Sequence, residues 1–141
     1  MNWVDDTCVL LDILDEVEPF AGMSADALDM KSAEGALFIA PITYVELAPA
    51  FDGDEELQDL FLSRLGIDCP FAGDRNAVLA AYKAWYSHIL RKRAGEVKKR
   101  PIADVMIGAC AMRKGGLITR NENDFRILYP SLVICNPVSM T

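Results

Sequence analysis

Asn2-Trp3-Val4-Asp5-Asp6-Thr7-Cys8-Val9-Leu10-Leu11 is the stretch on which the fold is read. A short bulky run ends in two carboxylates. Val9, Leu10, Leu11, Ile13 and Leu14 then follow at helical spacing and fade at Pro19. A strand turning directly into a helix is half of a βαβ unit, and the rest of the chain repeats the theme. Leu37-Phe38-Ile39-Ala40 is a continuously apolar strand closed by Pro41, with a short helix over 42–50. Leu117-Ile118-Thr119 and Leu132-Val133-Ile134-Cys135 supply two more strands. Between them the pattern predicts a helix over 24–34, with Ser24 as its N-cap and Gly35 beyond its end. A helix over 54–65 places Leu57, Leu60, Phe61 and Leu65 on one face, and 66–71 is an extended link. The longest helix, 74–93, points Val78, Ala81, Trp85 and Ile89 inward. Another runs from Pro101 to about Lys114, where Gly115-Gly116 ends it. Strands alternating with helices predict an α/β fold, a mostly parallel sheet with helices on both faces.

The composition bounds what such a sheet can do. The chain has 141 residues and is 52% apolar, enough to bury a core as one domain over 1–141. No internal repeat, low-complexity tract or linker interrupts it. No apolar run approaches the roughly 18 residues that span a bilayer, and none has a signal-peptide layout, so a soluble cytoplasmic protein without a membrane partner is expected. The one histidine, His88, excludes a His-rich metal site. Four cysteines at 8, 69, 110 and 135 form no C-x-x-C pair and read as reduced core thiols rather than zinc ligands. The net charge is −7, yet Arg91, Lys92, Arg93, Lys98, Lys99 and Arg100 stand within ten residues against Glu96 alone. An acidic body (net −12) with one basic segment (net +5) suits polyanion contact on one side and cation demand elsewhere.

In parallel sheets ligands gather at the carboxyl ends of the strands. Four acids fall there: Asp6 at the end of the first strand, Glu46 in the helix after the second, Asp104 in the first turn after Pro101, and Asp124 after the strand 117–119. Converging carboxylates repel one another and demand a cation. With no His or thiolate set available, that cation is a hard one, Mg²⁺ or Mn²⁺ held by oxygen, able to polarise a phosphate and activate water. Each acid has a plainer reading. Asp6 stands where an N-cap belongs, and Thr43-x-x-Glu46 has capping-box spacing. Asn121-x-x-Asp124 is a common turn pattern, so which of the two faces a metal is left open. Asp104 is too deep in its helix to cap it, and it shares a stripe with Ile107, Gly108 and Ala111, where an uncompensated carboxylate is costly. Asp5 alternates to the other side of the strand and is expected to be solvated. Asn121, Thr7 and Thr119 are the candidates to complete the site.

These pieces, taken in order, resemble the PIN domain, and within it the VapC-type toxins of bacterial toxin–antitoxin pairs. The resemblance rests on Val4–Leu11, on Ile42-Thr43-Tyr44-Val45-Glu46-Leu47, on Ala103-Asp104-Val105-Met106-Ile107-Gly108-Ala109-Cys110-Ala111, and on Leu117-Ile118-Thr119-Arg120-Asn121-Glu122-Asn123-Asp124-Phe125. It covers essentially the whole chain. It implies a three-layer sandwich around about four or five strands, and a Mg²⁺- or Mn²⁺-dependent ribonuclease that leaves a 5′-phosphate and a 3′-hydroxyl. Asp6 and Asp104 would be direct metal ligands, Glu46 would bind metal or orient water, and Asp124 or Asn121 would complete the site. It further implies a homodimer inhibited by an antitoxin, whose helix a groove near 9–14 and 42–65 would receive. The basic segment 91–100 would draw the RNA backbone toward Asp104. Cys8 departs from the family's usual Asn, and Cys110 from its frequent His. His88 is expected on a helix face or facing a partner rather than in catalysis, and Tyr82, Trp85 and Tyr86 in the core or on a dimer surface rather than as a stacking platform.

Two other functions compete. A receiver-type phosphoacceptor also begins Val-Asp-Asp, but it needs an Asp at a third strand's end and a Lys closing the fifth; Asp52 and Asp54 stand in a Gly-containing turn and Arg120 follows the strand 117–119. A PIN-like module that binds RNA or a partner without cutting is favoured by Cys8 and disfavoured by the intact set of acids.

Overall fold

The computed structural model describes residues 1–70, 74–93 and 101–140. The side chains of Lys92 and Arg93 and the basic residues Lys98, Lys99 and Arg100 lie outside the described residues.

Five parallel strands form one sheet in the order β3-β2-β1-β4-β5: β1 (Asn2–Asp5), β2 (Leu37–Phe38), β3 (Ile67–Asp68), β4 (Gly115–Ile118) and β5 (Val133–Cys135). β3 lies inside the 66–71 stretch read as a link; two residues carry too little pattern to register as a strand. Alternation along β1 assigns the two faces. Trp3 packs with Leu37, Ile39 and Ile118 beneath α1 (Thr7–Asp15), α2 (Phe20–Ser32) and α4 (Glu55–Arg64), whereas Val4 packs with Leu117, Val105 and Phe125 beneath α6 (Ile102–Lys114) and α7 (Glu122–Leu128). Ala84 of α5 (Arg75–Arg93) joins the second core. Helix, sheet and helix make the three-layer PIN-like sandwich that the resemblance implies.

Several boundaries differ from the sequence reading. α2 begins at Phe20, so Ser24 is not a cap; it is fully buried in the second turn. The helix over 42–50 is two elements, α3 (Pro41–Glu46) and a 3₁₀ turn (Ala48–Phe51), because Pro49 has no N–H to continue the ladder. Leu57 and Leu60 of α4 are exposed; Gln58 and Leu62 occupy the buried side instead. Val78 is exposed on α5, and Ala84 and His88 replace it inside, His88 stacked on Trp85 with ring centroids 5.8 Å apart. Tyr82 and Tyr86 are surface residues. In each helix the choice between neighbouring stripes was made by the partner layer.

Gly115-Gly116 opens β4 rather than only ending α6. Gly115 has φ +148°, and a Cβ there would lie 2.6 Å from the Asn2 carbonyl oxygen. A Cβ on Gly116 would meet the Trp3 ring at 2.5 Å. The pair lets β4 approach β1 closely, which brings the ends of those two strands together.

Candidate active site

The carboxyl ends of β1 and β4 carry Asp6 and Thr119. Asp6 N–H donates to the Ile118 carbonyl at 2.9 Å and Thr119 N–H to the Cys135 carbonyl at 3.0 Å, so the ladder reaches one residue past the strands. Alternation puts both side chains on the α6 face, after Val4 and Leu117. The fully buried Thr119 hydroxyl donates to Asp6 Oδ2 at 2.7 Å, and the Cys8 thiol donates to the same oxygen at 3.2 Å. Asp6 occupies the N-cap position of α1, yet its side chain makes no capping bond. The plain cap reading therefore fails. Cys8 supplies a hydrogen bond to Asp6.

A second carboxylate stands beside it. Glu46 Oε1 accepts from the Thr7 hydroxyl at 2.8 Å, and the Thr7 and Thr43 hydroxyls are hydrogen-bonded at 3.0 Å. Thr43 N–H goes to the Ala40 carbonyl, so there is no capping box. Thr43 is the third residue of α3 and could not have been its cap. Burial pushes the Asp6 carboxyl above its ordinary range; the Thr119 and Cys8 bonds oppose that, and Glu46 adds to it by repulsion.

Asp104 is half-buried in the first turn of α6, the helix that packs against β1 and α3, and it opens the buried stripe of Ile107, Gly108 and Ala111. A Cβ on Gly108 would fall 2.4 Å from the Tyr129 ring, which measures how tightly that stripe is packed. Asp124 is exposed in the first turn of α7. Asn121 enters through its main chain, its N–H donating to Thr119 Oγ1 at 3.0 Å, while the residue itself is exposed. The structure thus links Asp6, Glu46, Thr7, Thr119 and the Asn121 amide in one neighbourhood, and these contacts do not include the half-buried Asp104 or the exposed Asp124. Arg91 is half-buried near the end of α5.

Asp5 is not solvated. It is fully buried on the α1 face in register with Ile118, and neither carboxyl oxygen has a hydrogen-bond partner. Burial pushes its carboxyl well above the usual range. Alternation assigned its side correctly; the expectation of solvent failed because α1 roofs that face.

Apart from the Cys8 thiol, the groups around Asp6 are oxygens of carboxylate and hydroxyl, the set a hard divalent cation takes. One buried carboxylate, Asp6, repelled by the exposed Glu46 beside it, fits such an ion. Among the described residues no three His, Cys, Asp or Glu side chains are close enough to enclose one. The expected ligand set of Asp6, Glu46 and Asp104 is therefore not gathered into one enclosing cluster in this structure. The competing receiver reading loses its acceptor: Asp52 is in a left-handed turn, and Asp54 caps α4 by accepting from Leu57 N–H at 3.1 Å. An apolar cleft of about 220 Å³, lined by Phe38, Ile42, Ala77, Ala81 and Cys110, holds none of the four acids.

Sequence reasoning missed Asp12, Ser24, Thr43 and Arg120. Arg120 binds Asp12 through two bonds, Nε to Oδ2 at 2.6 Å and a terminal guanidinium nitrogen to Oδ1 at 2.8 Å. Ser24 adds a third at 3.0 Å. The available signal was a lone carboxylate interrupting the apolar run of α1.

No protein-family model matches the sequence. No curated protein matches it either. Solved structures do match in fold. A chain of VapBC-1 from nontypeable Haemophilus influenzae is 17% identical with a TM-score of 0.69, covering 98% of this chain and 99% of that one. A chain of VapBC2 from Rickettsia felis, in a complex bound to a DNA fragment from their promoter, is 17% identical with a TM-score of 0.68, covering 96% and 98%. A chain of FitAB bound to the IR36 DNA fragment is 16% identical with a TM-score of 0.63, covering 97% and 95%. Among the described residues no helix is long and apolar enough to cross a membrane.

Proposed function

We propose that this chain is a metal-dependent endoribonuclease of the VapC type, the toxin of a toxin–antitoxin pair, acting in the cytoplasm. The observation that supports it most is the Asp6 carboxylate: buried, gripped by Thr119 and Cys8, and set beside Glu46 at the carboxyl ends of adjacent parallel strands. Asp6 and Asp104 would hold a Mg²⁺ or Mn²⁺ ion, with Glu46 as a further ligand or water-orienting base. When bound, the ion supplies positive charge that neutralises the carboxylates, polarises the scissile phosphate and lowers the pKa of a water. With Glu46 Oε1 held by Thr7, Oε2 is the atom left to orient that water or take its proton. The water oxygen forms a bond to phosphorus and the P–O3′ bond breaks. The leaving oxygen takes a proton, giving a 3′-hydroxyl and a 5′-phosphate. Asp124 or Asn121 would complete the site, and the cations Arg91, Lys92, Arg93, Lys98, Lys99 and Arg100 would meet the RNA.

The partner proposed is an antitoxin, as in the VapBC complexes that share the fold. Val45, Leu57 and Leu60 are exposed apolar side chains on α3 and α4 available to an amphipathic helix. A homodimer is proposed with it. The test is cleavage of a mixed RNA pool with Mg²⁺ or Mn²⁺, with EDTA and Asp104→Asn protein as controls. Metal-dependent cutting absent from the variant supports the reading. Folded, metal-replete, antitoxin-free protein that cuts no RNA refutes it in favour of a binding module.

A further inference from the structure

Arg120 lies between Thr119, which bonds the Asp6 carboxylate, and Asn121, whose amide bonds Thr119. Thr119 donates its hydroxyl to the carboxylate, and the Asn121 amide donates to that same hydroxyl, so one oxygen carries both bonds. Whatever holds the Arg120 main chain therefore sets where the Thr119 hydroxyl sits. Two side chains of α1, four residues apart and so on one helix face, reach this segment, and one of them grips Arg120 itself. Cys8 gives its proton to Asp6, and its sulfur lies 3.9 Å from the Thr119 hydroxyl oxygen. Asp12 takes the guanidinium in a two-pronged grip at 2.6 and 2.8 Å. The grip is itself braced. Ser24, fully buried on α2, donates to Asp12 Oδ2, and the Phe20 ring lies 4.2 Å from the guanidinium carbon.

We propose that Asp12 and Arg120 are positioning residues, a clamp that ties the loop after β4 to α1 and α2 and so aims the Thr119 hydroxyl at the Asp6 carboxylate. The inference rests on the metallonuclease reading of Asp6. A planar guanidinium fork fixes direction as well as distance, which a flexible ammonium does not. Replacing such a pair whole by apolar groups is often near neutral, whereas removing one partner leaves the other charge uncompensated, so folding must be read alongside binding in any single variant. Its position, one residue from the carboxylate's hydrogen-bond donor, is that of the outer partners that orient metal ligands. Loss of such partners characteristically weakens metal affinity by about 10- to 100-fold.

The test is Mn²⁺ binding to the full chain, read by loss of the free-ion EPR signal, for wild type, Asp12→Asn, Arg120→Lys, Thr119→Ala and the Arg120→Lys/Thr119→Ala double variant. Thermal unfolding of each metal-free protein is recorded in parallel. The clamp predicts at least about tenfold weaker Mn²⁺ binding in Asp12→Asn and in Arg120→Lys, each retaining a cooperative transition. It also predicts that the double variant binds no more weakly than Thr119→Ala alone, because both changes act through one hydroxyl. Wild-type binding with unchanged affinity in the single variants overturns the clamp and leaves the metal reading intact. Additive losses in the double variant, or losses that occur only where the transition is also lost, make the pair a scaffold strut and overturn it too. Wild type that binds no Mn²⁺ overturns both.

Discussion

Replacing Asp5 with Val should stabilise the protein. Asp5 is fully buried, both its carboxyl oxygens lack a partner, and its neighbour across the ladder is Ile118. An unsatisfied buried polar group costs about 1–3 kcal/mol, and a β-branched residue of similar size suits a strand between apolar neighbours. For 141 residues the unfolding entropy converts each kcal/mol into about 3 °C, so Asp5→Val is expected to raise Tm at pH 7 by roughly 3–10 °C. The pH dependence carries an independent signature. Burial lifts the folded carboxyl well above its ordinary 3.8. Below 3.8 both states are protonated; as the pH rises from there toward the folded value, the unfolded chain releases its proton and the folded one does not. Stability from this group is therefore lost as the pH rises through that window. Asp5→Val removes the slope along with the orphaned oxygens, whereas Asp5→Asn removes the slope and keeps a buried polar group, so its gain is smaller. Thermal melts of the metal-free proteins between pH 4 and 8 decide it. An Asp5→Val protein no more stable than wild type at pH 7, or with an unchanged pH slope, would refute the reasoning.

Other outcomes follow from the same contacts. Asp6→Asn should abolish metal-dependent RNA cleavage while Asp5→Val retains it, and the reverse pattern in a cleavage assay would move the site to the wrong carboxylate. Burial first, and the Asp6 carboxylate second, push the Cys8 thiol up to about 12, and burial raises Cys69 to about 11. Iodoacetamide should accordingly label neither at an appreciable rate in folded protein at pH 7.5; rapid stoichiometric labelling of Cys8 would contradict the environment described. Gly116→Ala should destabilise by about 1–3 kcal/mol and perturb Trp3 fluorescence, because its Cβ would stand 2.5 Å from the indole; an unchanged denaturation midpoint counts against that packing.

Part of the candidate site was legible before folding because parallel sheets put ligands at strand ends. Asp6 and Glu46 could be picked from position alone, and strand alternation separated Asp6 from Asp5. Thr7 and Thr119 were visible only as hydroxyls of fitting placement. Their partners, Glu46 with Thr43 and Asp6 with the Asn121 amide, are separated by up to 113 positions and follow from no local pattern. The capping readings of Asp6 and Glu46 were fair locally, and each was displaced by a side chain from another element that reached the oxygen first.

The order of apolar runs and turn residues by itself determined an α/β chain of parallel strands, and hence the edge at which acids would gather, since periodicity and breakers act through near neighbours. Tertiary structure alone decided which face of each helix went inside. It found the two-residue strand Ile67–Asp68, roofed Asp5 with α1, and joined Arg120 to Asp12 across 108 positions. Those outcomes depend on what the opposite layer presents. A carboxylate's solvation, and the hydrogen bond that replaces it, are properties of the space between elements rather than of any segment.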